Sequence, residues 1–268
     1  LFFLFPESLQ TALIANFCLS AVTLACSFRI FQELHLSPAW AFFGTLILAL
    51  FPNFIFYGNL ILSEMLMTTL LSGSILLLLS ARRNYQFLLT GICFGLATLV
   101  KSQVLFLPVF GLFFDLWNTR PGKAVIGRYL ILAIGMSVIV LPWTLRNYAV
   151  FDRFILVQSN GGYNLLMGYN EANRWGGSVG ASSELAALFP GVAADINQRL
   201  VDEIGMNDRA TAVALRFISE NPGEVLRRIP YKLYRFFRHD PQGIGSLVRS
   251  NADAGNRLAW LQHLFQFS

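Results

Sequence analysis

Long apolar runs separated by short polar stretches dominate the first 150 residues. Residues 9–28 and 38–62 carry no charged side chain over twenty and twenty-five positions. At about 1.5 Å of rise per residue, a helix of either length crosses the hydrocarbon core of a bilayer. Pro52 interrupts the second run, so we predict a helix to about Leu50, then either a kink or a short second helix that ends near Tyr57.

Four further apolar runs follow. Residues 65–81 form the third run, and residues 129–145 form the last. Between them lie the shorter runs 85–100 and 103–114, which the charged Lys101 separates. These two predict a tight helical hairpin or a pair of helices that spans the membrane incompletely. The pattern as a whole predicts an all-α multispanning membrane protein.

Basic residues concentrate at one set of helix ends, which we assign to the cytoplasmic side because cytoplasmic loops are enriched in Lys and Arg. The opposite ends carry residues 57–64, Lys101 and Arg146, so the chain after about Arg146 is expected to be extracytoplasmic. This predicts a transmembrane helix bundle over residues 1–148, then an extracytoplasmic loop and amphipathic helical region over 149–268. The basic residues of the cytoplasmic ends are Arg29, Arg82, Arg83, Arg120, Lys123 and Arg128.

Composition supports the membrane assignment. Hydrophobic residues make up 55% of the chain and charged residues 13%, against about 25% charged in an ordinary soluble domain. The net charge of +5 is spread, with seven basic and four acidic residues before position 145 and thirteen and eleven after it. Nucleic acid is therefore not an expected partner, whereas membrane lipids are.

Neither the cysteines nor the histidines suggest a metal or other cofactor. Cys18, Cys26 and Cys93 all lie inside apolar runs and are expected to be buried, not paired in a disulfide framework. The three histidines are far apart and lack ligand spacing. The chain begins at Leu1 without a recognisable signal peptide, and we interpret it as a fragment of a longer protein.

The second region begins with a turn-rich stretch over residues 152–180, which predicts a structured loop without a helix. Residues 207–208 are a predicted N-cap for a helix that reaches Glu220, and Pro222 starts another helix.

The helix that Pro222 starts is amphipathic, with Pro230 inside it. Such a helix either lies in the membrane interface with its cations among lipid phosphates or packs on the protein's own surface. Its basic residues are Arg228, Lys232 and Arg235, and its apolar face is formed by Val225, Leu226, Ile229, Leu233, Phe236 and Phe237.

Glu64 is the strongest candidate for chemistry, because it is a carboxylate between long apolar runs. An ionisable group at such a position costs a few kcal/mol, roughly, in the hydrocarbon core and usually marks a functional site. The alternative is a helix-terminal Glu at the interface, which the helix dipole stabilises without any function. We favour function because Tyr57 and Asn59 lie in the same turn and offer further polar groups for a substrate.

Two cations are predicted at the same outer level as Glu64. Lys101 interrupts an apolar stretch, and Arg146 follows the last apolar run. Snorkelling to the lipid headgroups explains either cation alone. Convergence of both with Glu64 better fits a site that holds an anionic phosphate.

Five short motifs in this order resemble one family of membrane enzymes. The chain is similar to the bacterial polyprenyl-phosphate-dependent glycosyltransferases of the GT-C class, which include protein O-mannosyltransferase-like and aminoarabinose-transferase-like enzymes. The resemblance covers roughly residues 9–170. Its motifs are FPNFIFYGNLILSE at 51–64, RR at 82–83, GLATLVK at 95–101, PWTLRNY at 142–148 and SNGGYNL at 159–165.

The resemblance implies a GT-C-like helix bundle with a periplasmic loop and juxtamembrane helices in the bacterial inner membrane. It implies transfer of a sugar from a polyprenyl-phosphate donor to a lipid, glycan or protein hydroxyl. Glu64 matches the second of two family acids, and the first would precede Leu1. Lys101 and Arg146 match cations near the donor phosphate, although Arg is more usual at position 101.

Some alternatives stay open. Asn160, Tyr163 and Asn164 either bind sugar hydroxyls or only form a tight turn. A transporter or lipid-handling protein would use Glu64 and Lys101 along a translocation path. A scaffold without glycosyl transfer is the third possibility.

Overall fold

The structure is a computed structural model that describes residues 9–60, 62–118, 122–171 and 203–237. Within these ranges the regular elements are helices, and no strand is present. The chain divides into two compact units that part after Val157. The first unit contains α1 (Leu9–Glu33), α2 (Pro38–Leu50), α3 (Pro52–Gly58), α4 (Glu64–Ser80), α5 (Asn84–Val100), a 3₁₀ helix (Ser102–Phe106), α6 (Leu107–Asn118) and α7 (Gly122–Phe151).

The six predicted apolar runs are all helical, which confirms a helical membrane protein. In the part of the chain that the structure describes, α1 and α7 are long and apolar enough to cross a membrane. A third crossing results if α2 and α3 form one broken span, while α4, α5 and residues 102–118 are shorter apolar helices.

The predicted break at Pro52 is confirmed. α2 ends at Leu50, α3 begins at Pro52, and the two helices are bent by 60°. Phe51 between them is extended, with φ −66° and ψ 122°, because proline disfavours helical backbone in the residue before it. The short α3 then ends at Gly58, one residue beyond the predicted Tyr57.

The predicted pair 85–100 and 103–114 forms a helix, a tight turn and a returning helix. The side chain of Gln86 starts α5 by accepting hydrogen bonds from the backbone N–H groups of Arg82 and Arg83 at 2.7 and 2.8 Å. Lys101 ends α5 in extended backbone, and the 3₁₀ helix turns the chain into α6. α6 ends beside the first turns of α7, where the Tyr129 hydroxyl donates to Asp115 at 3.0 Å.

α5 and α7 pack against each other with their backbones in contact. A Cβ on Gly91 would lie 2.0 Å from the carbonyl oxygen of Leu132, and one on Gly135 would lie 2.3 Å from that of Leu88. Gly95, one turn after Gly91, faces Met136 and Ile139. Gly91 and Gly95 form a GxxxG motif, which permits such close helix packing in membranes. The two helices run parallel, since the later residue of α5, Gly95, contacts later residues of α7 than Gly91 does.

Gly91→Ala is expected to lower the free energy of unfolding by about 1–3 kcal/mol, the usual cost of overpacking. The added methyl group meets main-chain atoms, which cannot rotate away. Thermal unfolding of the purified full chain in detergent measures this. Gly127→Ala in α7 is the matched control, because no atom lies within 4 Å of its added Cβ. Equal stability of the two variants would contradict the close contact.

The second unit contains α8 (Gly161–Gly168), α9 (Glu203–Glu220) and α10 (Pro222–Phe237). The prediction of a loop without a helix over residues 152–180 is wrong where α8 forms. The two glycines that begin it disfavour a helix locally, but α8 packs on α9 around the fully buried Leu166, Ala210 and Ala214.

Asn207 is not the N-cap of α9, because that helix already begins at Glu203. Its Oδ1 atom instead accepts a hydrogen bond of 2.7 Å from the backbone N–H of Gly162 in the first turn of α8. The close approach requires glycine, since a Cβ at Gly162 would lie 1.9 Å from the Thr211 hydroxyl oxygen. A side chain on α9 thus satisfies a free N–H group at the start of α8.

α10 begins at Pro222 as predicted, but it packs through its cationic side. Arg228 is only 5% exposed, donates to the carbonyl of Asn170 at 3.3 Å and lies over the Phe217 ring. Lys232 donates to the carbonyl of Gly168 at 3.0 Å.

This packing fits the charges and leaves part of the predicted apolar face open. The carbonyl end of α8 carries partial negative charge, so both cations are stabilised there and Arg228 is not among lipid phosphates. The described apolar side chains on the exposed side are Leu226, Ile229 and Leu233. Of the two alternatives that the sequence left open, packing on the protein's own surface is the one found for Arg228 and Lys232.

The packing of α10 is expected to weaken on acidification. A hydrogen bond from Arg228, helped by the charge of Arg227, holds the pKa of Glu224 below its ordinary value of 4.5. A lowered pKa in the folded state stabilises above the ordinary pKa, and that stability is lost as the pH falls through the lowered value. The protection factors of the α10 amides, which compare the intrinsic with the observed exchange rate at each pH, should therefore fall as the pH drops below about 5. Glu224→Gln should remove this pH dependence, and its persistence in that variant would refute the role of Glu224.

Candidate active site

Glu64 and Lys101 form an ion pair at one end of the first unit. Glu64 begins α4, Lys101 directly follows α5, and Lys101 Nζ lies 3.1 Å from Glu64 Oε1. The short connection after Ser80 makes α4 and α5 neighbours of opposite direction, so the start of one lies beside the end of the other. The predicted meeting of these two charges is thus found in the structure.

The second oxygen of Glu64 has no hydrogen-bond partner among the described residues. Oε2 is buried and accepts no hydrogen bond from any residue in the described ranges. A buried acceptor without a donor costs about 1–3 kcal/mol, and this cost is usually tolerated where a ligand supplies the donor. The side chains of Glu64 and Lys101 remain 35% and 34% exposed, so a molecule can reach the pair, and its contact with the buried Oε2 requires a movement of the Glu64 side chain.

Lys101 also has donors to spare. An ammonium group carries three N–H donors, and its hydrogen bond to Glu64 is the one found among the described residues. The remaining donors can bind oxygen atoms of an incoming anion. The pair therefore offers an acceptor for a hydroxyl proton and donors for an anion side by side.

Asn16 fastens the turn that leads into Glu64. This buried side chain of α1 donates from Nδ2 to the carbonyl of Leu60 at 2.7 Å, and the Leu62 N–H bonds the same carbonyl at 2.9 Å. Sequence reasoning missed Asn16; the signal was an amide within a charge-free run. We assign it a positioning role for the start of α4.

Asn53 is a second residue that sequence reasoning did not select. Its Oδ1 atom is buried and has no hydrogen-bond partner in the described ranges. It lies in the first turn of α3, the helix that leads to the turn before Glu64. The signal was again an amide in an apolar run, and its free acceptor makes Asn53 a candidate contact for substrate.

Arg146 lies at the same end of the helix bundle but is not bonded to the ion pair. The contacts of Gly91 and Gly95 with α7 set a register in which Lys101 lies within about one turn of the level of Arg146. No hydrogen bond or ion pair in the described ranges joins Arg146 to Glu64 or Lys101. Its guanidinium donates to Asn147 Oδ1 at 3.1 Å and lies over the Trp143 and Phe151 rings.

The residues around Arg146 hold the chain that follows α7. Thr144 donates to the carbonyl of Leu156 at 2.8 Å, and Trp143 Nε1 donates to that of Val157 at 3.1 Å. The fully buried Asn147 donates to Ile155 at 3.1 Å. These bonds stabilise α7 beyond the predicted end at residue 145. They also fix the backbone on both sides of the exposed Arg146.

The other predicted site residues have mixed surroundings. Tyr57 is half-buried in α3, whereas Asn59 is exposed and donates to the carbonyl of Ile55 at 2.8 Å. A role of these two in substrate binding stays a prediction.

The remaining three belong to the second unit, where the predicted tight turn is the start of α8. Asn160 immediately precedes that helix, and Tyr163 and Asn164 lie in its first turn. Asn160 and Asn164 are exposed and Tyr163 is half-buried. Their binding of sugar hydroxyls also stays a prediction.

Apolar helices with an acid and a cation paired at their ends define a helical membrane protein with a polar site at the end of its bundle. A family model described as dolichyl-phosphate-mannose-protein mannosyltransferase matches residues 1–144. Because the match covers more than half of the 268 residues, the chain belongs to this family of GT-C-type glycosyltransferases. The matched part includes Glu64 and Lys101 and ends before Arg146. No curated protein and no solved structure matches the chain.

The energetic coupling of Glu64 and Lys101 can be measured without any substrate. We expect Glu64→Gln and Lys101→Gln to be coupled by about 0.2–1 kcal/mol in a double-mutant cycle of thermal or chemical unfolding, as for partly exposed ion pairs. The control cycle combines Glu33→Gln with Lys101→Gln. Glu33 is the last residue of α1, at the end of the bundle away from Lys101, so these two effects should be additive. Additive effects in the Glu64 cycle would mean that the two charges do not meet.

Proposed function

We propose that the protein transfers a sugar from a polyprenyl-phosphate donor to a hydroxyl of a lipid, glycan or protein acceptor. The family supports glycosyl transfer from such donors, and the buried free Oε2 of Glu64 beside Lys101 carries the assignment of the site. The reaction is proposed for the outer face of the bacterial inner membrane.

The chemistry follows from the groups at the pair. The acceptor oxygen attacks the anomeric carbon, its proton passes to Glu64 Oε2, and the bond from that carbon to the donor phosphate breaks. Lys101 stabilises the charge that develops on the leaving phosphate, with Arg146 as a proposed second cation. A single displacement of this kind inverts the configuration at the anomeric carbon.

The distribution of charge supports the outer face. Glu64, Lys101 and Arg146 lie at one end of the helices, while the basic residues of the opposite ends outnumber them. Because cytoplasmic loops are enriched in Lys and Arg, the active end is proposed to face outward. In the described ranges the opposite ends carry Arg29, Arg82, Arg83, Lys123 and Arg128.

Transfer of radiolabelled sugar from a panel of polyprenyl-phosphate sugars, by membranes that carry the full-length protein, tests the proposal. We expect Glu64→Gln to lower the rate by about 10²–10⁴, because a positioned base contributes that much. Lys101→Met should also lower the rate, because the leaving phosphate loses the cation that stabilises its developing charge.

Glu33→Gln is the matched control and should keep the wild-type rate. It also removes a carboxylate, but one at the end of the bundle away from Glu64. Undiminished transfer by Glu64→Gln at equal expression would remove Glu64 from the mechanism. Absence of transfer with every donor would instead favour a transporter, a lipid-handling protein or a scaffold.

A further inference from the structure

A cavity of about 540 Å³ opens at the end of the first unit opposite the ion pair. It lies between the last turn of α4, the first turn of α5, the end of α6 and the first two turns of α7. Leu78 at its wall is fourteen residues along α4 from Glu64, which corresponds to about 21 Å of helix. The cavity is therefore separate from the proposed active site.

Two arginines line this cavity, and we name it the arginine cavity. Arg82 lies in the short connection between α4 and α5 and gives two hydrogen bonds from one guanidinium nitrogen, to the carbonyls of Leu79 and Ala81 at 2.9 and 3.2 Å. Arg128 lies 5.7 Å over the ring of Phe87. Within the described ranges Arg128 has no hydrogen-bond acceptor and no acidic partner, so most guanidinium donors at the cavity are available.

Asp115 is the single acid among the described residues of the cavity wall, and it is already engaged. Asp115 accepts a hydrogen bond of 3.0 Å from the Tyr129 hydroxyl, and no ion pair links it to either arginine in the described part of the chain. Two cations face one acid, so the cavity carries net positive charge. Its charge suits an anion with several oxygen atoms.

The rest of the wall suits hydrocarbon. Leu78, Phe110 and Phe114 line the cavity, and the two phenyl rings are 70% and 69% exposed on the outside of α6. We expect such exposed aromatic side chains on an apolar helix of a membrane protein to contact acyl chains. The cavity thus joins a cationic end to an apolar outer surface, the two parts of an amphipathic ligand.

We propose that the arginine cavity binds an anionic phospholipid, with the headgroup phosphate between Arg82 and Arg128 and the acyl chains along Phe110 and Phe114. Basic pockets between membrane helices are known to take such headgroups. A free phosphate has the same oxygen atoms but gains nothing from the phenyl rings. This proposal does not depend on the proposed sugar transfer.

Native mass spectrometry of the full chain in nonionic detergent tests the proposal by titration with phosphatidylglycerol, phosphatidylcholine or inorganic phosphate. We expect phosphatidylglycerol to bind the wild type most tightly. Arg128→Gln should weaken this binding about tenfold or more, the usual effect of losing a charged hydrogen-bond donor. Arg83→Gln is the matched control, because Arg83 is the exposed neighbour of Arg82 and does not line the cavity.

Arg82→Gln is the second variant, since its exposed side chain can be replaced without disturbing the core, and it should also weaken binding. Equal phosphatidylglycerol binding by the wild type and both cavity variants would overturn the proposal. Phosphatidylcholine binding as tight as that of phosphatidylglycerol would do the same. Full displacement of the lipid by millimolar inorganic phosphate would identify a simple anion site instead of a lipid site.

Discussion

Polar groups inside a hydrocarbon solvent have no water to bond, so each must find its partner within the chain. The helices of the first unit follow this constraint closely. Buried hydroxyls such as Ser74 and Thr98 donate to the carbonyl four residues earlier, and Thr23 meets Thr69 across two helices at 2.8 Å. Against this background the free oxygens of Asn53 and Glu64 are exceptions. Within the described ranges these two oxygens have no hydrogen-bond partner, which is why the proposed site is placed there.

The two ends of the first unit are chemically different although the same helices build both. α4, α5 and α7 carry an acid and cations at one end and two arginines around a cavity at the other. The glycine contact between α5 and α7 fixes their register, so neither end can shift along the helix axis without moving the other. A rigid glycine contact between two polar ends suits a protein that must hold charged groups at both surfaces of a bilayer.

Much of the first unit could be predicted from the sequence because hydrocarbon imposes a simple rule on apolar runs. The positions of the helices and the break at Pro52 follow from run length and from the geometry of proline. The meeting of Glu64 and Lys101 follows from counting helix directions. Asn16 was missed because its role depends on the Leu60 carbonyl, a partner distant in sequence.

The second unit was harder to predict because tertiary contacts decide its helices. Gly162 is a poor helix former, yet Asn207 and the close surface of α9 hold it in α8. The amphipathic pattern of α10 shows that two faces exist but not which one is buried. The carbonyls of Gly168 and Asn170 decide that question, and no local pattern shows them.

The contact between Gly91 and Gly135 also has a consequence for how this sequence can change in length. Lys101 follows Gly95 by six residues, and each inserted residue would rotate it by about 100° around the axis of α5. One insertion in that interval turns the ammonium group away from Glu64, while the contact between Gly91 and Gly135 stays in place. The interval from 95 to 101 is therefore closed to insertions and deletions, even though its residues Leu96, Leu99 and Val100 are ordinary apolar side chains.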